Sequence, residues 1–240
     1  QTTLQQWKNY KYGMFVHWGP YAVAAGAWHG KPIEKLGEQI QRHADISAVD
    51  YDALAKRFQP HQFDASKLVQ LAKNNNMHYL LFTAKHHDGF AMFDTKHSTF
   101  DIVEHGGFGR DIVKELSVAS GKHNLPLGLY YSTPDWHFTR PLPERNPVDG
   151  KLSVFAKVSQ QQQTFQLAQL EELMSNYGPI LEVFFDMGEP THTQSQAFRS
   201  EVKTHQPDTL VNSRVMNYQG DVLTLPDNHL PQQPVLNYPW

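Results

Sequence analysis

Ile180-Leu181-Glu182-Val183-Phe184-Phe185-Asp186-Met187-Gly188 is an apolar run that stops on a carboxylate, followed by a pair at which the chain must turn. A short stretch rich in β-branched and aromatic residues predicts a strand. Period-two alternation puts Phe184 and Asp186 on one face and Val183 and Phe185 on the other. Upstream, Leu170, Leu173, Met174 and Tyr177 recur at helical spacing until Gly178-Pro179, a C-terminal stop signal. Downstream, Phe198 and Val202 mark another helix before Pro207. Helix, strand and helix in that order make a unit of a parallel sheet.

The unit recurs along the chain. Residues 12–18, 79–83, 127–132 and 210–215 are further strand candidates. Residues 53–58 and the set Leu68, Leu71 and Ala72 have helical spacing, with Asp64 placed as an N-cap. Ile112, Val113, Leu116 and Ala119 supply another apolar helix face. The expected architecture is α/β: a (β/α) TIM-like barrel truncated before its last strands, because the strand candidates fall short of the eight that close a barrel. Residues 1–240 then form the N-terminal part of a catalytic barrel, with the C-terminal strands outside this chain. Residues 137–151 and 219–240, rich in Pro, Gly and polar side chains, read as long loops.

Composition narrows the function. The 240 residues are 40% hydrophobic, enough for one sizeable core. With 21 basic and 24 acidic residues, a formal net charge of -3 and no Lys/Arg cluster, nucleic acid is not an expected partner. No apolar run approaches the ~20 residues that span a bilayer, so neither is a membrane. Zero cysteines exclude disulfides and thiol catalysis. A start at Gln1 rather than Met points to a removed leader or a longer chain, and export, periplasmic or secreted, is expected over the cytoplasm. Aromatic residues at 12% and 14 histidines fit a carbohydrate site.

Polar residues gather where strands end: His17-Trp18, His86-His87-Asp88, Tyr130-Tyr131-Ser132, Asp186 and Arg214. In (β/α) barrels the site is built at those C-terminal ends. Asp186 is the candidate nucleophile, against the alternative of a loop cap. His86, His87 and Asp88 admit a metal reading, but neighbouring strand residues point to opposite sides, which favours hydroxyl recognition. Arg214 offers a rigid fork to a sugar or to Asp186, or else a surface ion pair. Trp28, Trp136, Tyr130 and Phe184 are candidate stacking plates or core.

Tyr12-Gly13-Met14-Phe15-Val16-His17-Trp18-Gly19, Lys85-His86-His87-Asp88-Gly89-Phe90, Gly128-Leu129-Tyr130-Tyr131-Ser132 and Phe184-Phe185-Asp186 resemble, in order, the landmarks of the α-L-fucosidases of glycoside hydrolase family 29. The resemblance implies a (β/α) barrel followed by a β-sandwich domain, retaining hydrolysis of terminal α-L-fucose from a fucosylated glycan or glycoconjugate, and no cofactor or metal. By position it makes Asp186 the nucleophile and His17, Glu38, His86, His87, Tyr130 and Arg214 the lining of the sugar pocket. Two positions depart from the family: Gln39 follows Glu38 where a tryptophan is usual, and Phe184 replaces a tryptophan. The acid/base has no fixed motif; Asp227 and Asp221 are the late acidic candidates, Asp227 preferred for its Leu225-Pro226-Asp227 context, with a residue beyond Trp240 as the competing expectation. Two other functions are weighed: a glycan-binding module without turnover, and a metal-dependent barrel hydrolase using His17, His86 and Asp88.

Overall fold

A computed structural model describes residues 2–138, 144–227 and 239. Helix α1 (Thr3–Tyr10) leads into β1 (Met14–Val16), followed by α2 (Tyr21–Ala24), an antiparallel hairpin of β2 (Ala27–Trp28) and β3 (Lys31–Pro32), and a 3-10 turn at Gly37–Gln39. Then come α3 (Ile40–His43), α4 (Ala48–Lys56), α5 (Ala65–Asn74), β4 (Leu80–Lys85), α6 (Ile112–His123) and β5 (Leu127–Ser132). The remainder is α7 (Gln160–Asn176), β6 (Glu182–Asp186), α8 (His192–His205) and β7 (Leu210–Val211), closing with a 3-10 turn at Ser213–Val215.

Five strands form one sheet in the order β1-β4-β5-β6-β7, each pair parallel. Because strand order follows chain order, every strand is joined to its neighbour through helical connections, as the recurring sequence unit requires. Leu80, Phe82 and Ala84, Leu127, Leu129 and Tyr131, and Val183 and Phe185 are buried in one core with Val69, Ile112, Leu116, Leu170, Leu173, Phe198 and Val202 of the helices. Removing such a side chain, for example by Phe82→Ala, costs about 3–5 kcal/mol. The other face carries Phe15, Tyr130, Ser132, Phe184 and Asp186, with Tyr130 beside Phe184 and Ser132 beside Asp186 in the ladder. Side chains stop the helices where sequence predicts: Asp64 accepts from Lys67 N at 3.0 Å and Asp111 from Lys114 N at 2.8 Å, caps of about 1 kcal/mol each.

Among the described residues the sheet is open, with β1 and β7 at its edges. The last strand is also shorter than the expected 210–215. Beyond Val211 the Asn212 side chain takes over the pairing, donating Nδ2 to Phe185 O at 2.9 Å and accepting Phe185 N at 2.8 Å, and the backbone turns away. Sequence reasoning missed α1, although Thr2 and Gln5 make a capping box there. It also missed the hairpin of β2 and β3. Of the two expected loops, residues 139–143, 228–238 and 240 lie outside the described residues.

Candidate active site

The polar side chains converge at the C-terminal ends of the strands. Asp186, the last residue of β6, is buried, and both its oxygens are engaged. Arg214 Nη1 donates to Oδ1 at 2.6 Å and the Tyr130 hydroxyl donates to Oδ2 at 2.8 Å. His87 Nε2 lies 3.9 Å from Oδ2. Arg214 also donates Nη2 to Asp227 Oδ1 at 2.6 Å, so one guanidinium joins two carboxylates. Burial works against the charge of Arg214, yet the bonds to Asp227 and Asp186 outweigh it and raise its pKa. Its Leu225 carbonyl contact, 2.8 Å from Nη2, fixes the fork's plane.

Behind the carboxylates stands an aromatic wall. Tyr130 stacks on Phe184, centroids 5.8 Å apart, and on His86 at 5.2 Å. Phe15 packs 5.3 Å from Phe184 and 4.6 Å from His17, and stays 44% exposed on the open side of the sheet. The Arg214 guanidinium sits over Phe184 at 5.6 Å. This places the aromatic plate beside the carboxylate, as alternation along β6 predicts.

The imidazoles differ from expectation in one respect. His86 and His87 follow the end of β4 at Lys85, where the ladder to β5 shifts register, so strand alternation does not govern them. Their rings lie 4.2 Å apart, one against Tyr130 and the other beside Asp186. Burial holds His86 well below the usual imidazole range and pushes His87 down to about 4 against the pull of Asp186. Burial also lowers His17, opposed by the charges of Glu38, Asp186 and Asp227. Those couplings put Glu38 and Asp227 at the same mouth, although Glu38 is exposed on its 3-10 turn.

Other candidates lie elsewhere. Asp88 is occupied by the Tyr51 hydroxyl at 2.6 Å and Phe90 N at 3.1 Å, and burial lifts its pKa to about 7. It therefore serves α4, not the imidazoles, and among the described residues no three His, Asp or Glu side chains are grouped to hold a metal. Asp221 binds Arg199 at 2.6 Å, Lys203 at 2.8 Å and Val211 N at 3.0 Å, tying β7 to α8. Trp136 is core: its Nε1 donates to Ser153 O at 2.9 Å. Trp28 packs on His29 in the hairpin.

Sequence reasoning gave no role to Tyr21, whose ring meets His86 edge-on at 5.6 Å, or to the pair Lys85 and Asp135. That ion pair, 2.8 Å long and fully buried, ties the end of β4 to the loop after β5. Asp135 Oδ1 in turn accepts from His137 N and Phe138 N, at 3.1 and 2.8 Å. Gly89 makes room for it: with φ at +80°, a Cβ there would lie 2.2 Å from that oxygen. A charged residue inside an apolar run, Lys85 after Phe82-Thr83-Ala84, is the sequence signal that points to such a partner.

Comparison with known proteins agrees with this geometry. Alpha-L-fucosidase AlfC from Lactobacillus casei, solved with its alpha-L-fucose product, superposes with a TM-score of 0.85 at 36% identity, covering 95% of this chain and 75% of that one. An alpha-L-fucosidase from Vibrio sp. strain EJY3 gives 0.79 at 32% identity over 92% of this chain and 40% of its own. Human plasma alpha-L-fucosidase is 30% identical over 188 residues, 75% of this chain and 38% of the human protein. A putative alpha-L-fucosidase of Caenorhabditis elegans is 28% identical over 92% of this chain and 47% of its own length. The chain thus spans less than half the length of these two curated relatives. The family model for alpha-L-fucosidase matches residues 1–240 throughout, and the chain belongs to the alpha-L-fucosidase family.

Proposed function

We propose that this chain is the N-terminal part of the catalytic (β/α) barrel of a retaining α-L-fucosidase, acting on terminal α-L-fucose of a fucosylated glycan or glycoconjugate. Strands outside the chain would pair with the open edges of β1 and β7, since unpaired parallel edges are otherwise a liability. A β-sandwich domain would follow them. The AlfC protein has been solved with 4-nitrophenyl-α-L-fucopyranoside and with Fucα(1,6)GlcNAc, and the same substrate class is assigned here.

The observation that carries the reading is the shared guanidinium: Arg214 holds Asp186 and Asp227 at 2.6 Å each. Two carboxyl groups on neighbouring nitrogens of one planar fork are close together, as the about 5–5.5 Å spacing of retaining pairs demands. Asp186 attacks the anomeric carbon; Tyr130 and Arg214 fix its two oxygens for that attack. Asp227 protonates the departing oxygen and then takes a proton from water as the glycosyl-enzyme is hydrolysed. Its side chain is 66% exposed and free to turn from Arg214 toward the leaving group. His17, Glu38, His86, His87 and Phe184 hold the sugar so that its anomeric carbon faces Asp186, an orientation effect of several kcal/mol.

The test is product stereochemistry. Hydrolysis of an aryl α-L-fucoside followed by proton NMR is expected to release α-L-fucose first. Release of the β anomer first, or fucose binding without turnover on any fucoside, overturns the proposal.

A further inference from the structure

We propose that Ser132 is a positioning residue that fixes the tautomer of His87, so that His87 presents Nε2 as a bare hydrogen-bond acceptor beside Asp186 and selects a sugar hydroxyl as donor at that point.

The argument counts protons. The Ser132 hydroxyl has one, and the Pro134 carbonyl, 2.6 Å away, can only accept it. What Ser132 Oγ then offers to His87 Nδ1, also at 2.6 Å, is a lone pair. Nδ1 must therefore carry a hydrogen. A neutral imidazole has only one N–H, so Nε2 is unprotonated. Nε2 is buried and has no hydrogen-bond partner in the protein. Its nearest charged neighbour, Asp186 Oδ2, is an acceptor too and is already served by the Tyr130 hydroxyl. Two acceptors facing one space ask for a ligand that brings protons, and a sugar hydroxyl does so.

The surroundings hold the relay in place. Ser132 is fully buried and pairs with Asp186 in the ladder, while Thr133 N donates to Asp186 O at 3.0 Å. Gln162 and Gln166 both donate to Thr133 O, at 2.9 and 2.6 Å, so the turn that presents the Pro134 carbonyl is pinned to α7. Trp136 N donates to His87 O at 2.7 Å and its ring packs on the imidazole at 5.3 Å. The opposite tautomer would aim an N–H at the attacking carboxylate and draw density from it. Ser132 prevents that without touching the substrate.

The hydroxyl assignment rests on the fucosidase reading; the tautomer does not. Long-range proton–nitrogen NMR of the His87 ring in the unmodified protein is expected to show Nδ1 protonated and Nε2 bare. The Ser132→Ala variant should show both tautomers and lose roughly tenfold in kcat/KM on an aryl α-L-fucoside, the effect of one hydrogen bond. Across the 2-, 3- and 4-deoxy fucosides, one should lose its penalty relative to the parent sugar in Ser132→Ala. Ser132→Thr, which keeps the hydroxyl, should restore the single tautomer. A proton on Nε2 in the unmodified protein overturns the proposal whether or not the variants fold, as does a deoxy series unchanged by Ser132→Ala. A protein inactive on every fucoside but with Nδ1 protonated would sink the fucosidase reading and still support the tautomer.

Discussion

Strand β6 carries two carboxylates on one face, Glu182 at its start and Asp186 at its end, with Phe184 between them. Both are buried, and they live differently. Asp186 meets Arg214, Tyr130 and His87 at the mouth of the sheet. Glu182 has one donor at the opposite end, Trp7 Nε1 of α1 at 3.1 Å, and burial lifts its pKa to about 7 despite that bond. The same strand thus presents an anion held by donors at one end and a carboxyl that prefers its proton at the other. Residue type does not decide this; the number of donors and the nearness of a guanidinium do.

The largest expected contrast is in turnover. Asp186→Asn should lose at least about 10⁴-fold in kcat, because the covalent route is removed. Glu182→Gln, an isostere of the protonated acid, should stay within about twofold of the parent, since a floor carboxyl has no reacting atom to meet. Aryl fucoside kinetics decide it; equal losses in the two variants would erase the distinction. Next in size is Asp227→Asn, which should cost about 10²–10⁴-fold on a glycan whose leaving group needs a proton. On a nitrophenyl fucoside the loss should be far smaller in bond cleavage. Equal losses on both substrates would remove the acid/base role.

How much of this contrast was legible beforehand depends on the residue. Asp186 announced itself, because a carboxylate ending an apolar run at a strand's C-terminal end has few uses other than chemistry or capping. Arg214 was legible as a fork, and its partner Asp186 with it. The link from Arg214 to Asp227 was not: thirteen positions of irregular chain separate them, and no periodicity reports where a loop returns. The side-by-side placement of His86 and His87 was misread because strand alternation was extended past Lys85, where the strand ends. Glu182 was hidden for another reason. Its partner Trp7 lies on a helix, α1, whose polar composition and short length mask it, and a contact across 175 positions leaves no local trace. Strand runs and caps are local physics and were read correctly; Asn212 substituting for a strand is tertiary physics and was not.

A third prediction turns on pH. The folded-state pKa of Glu182, about 7, lies above its ordinary value of 4.5, so the stabilising effect of its proton is complete below 4.5 and is lost as pH rises to about 7. The size is on the order of 3 kcal/mol at most. His87 acts in the opposite sense: with its pKa pushed down to about 4, the unfolded chain takes up a proton first, and stability falls as pH drops from 6.5 toward 4. Glu182→Gln removes the first slope and leaves the second. Urea unfolding should find the variant more stable than the parent at pH 8 and level with it at pH 4.5. A difference that does not change with pH would show that Glu182 is ionised in the folded protein.

The smallest effect is the most direct check on the floor of the sheet. Trp7→Phe keeps the ring's apolar packing and removes the one N–H that reaches Glu182. Leaving a buried carboxyl without that donor costs about 1–3 kcal/mol. In a Glu182→Leu background the same change should cost close to nothing, so the two substitutions should couple by about 1 kcal/mol in a double-mutant cycle. Turnover should hold steady in all three variants, because nothing at the mouth depends on the N-terminal helix. If Trp7→Phe instead lowers kcat while stability holds, the two ends of β6 communicate, and the floor is part of the machinery above it.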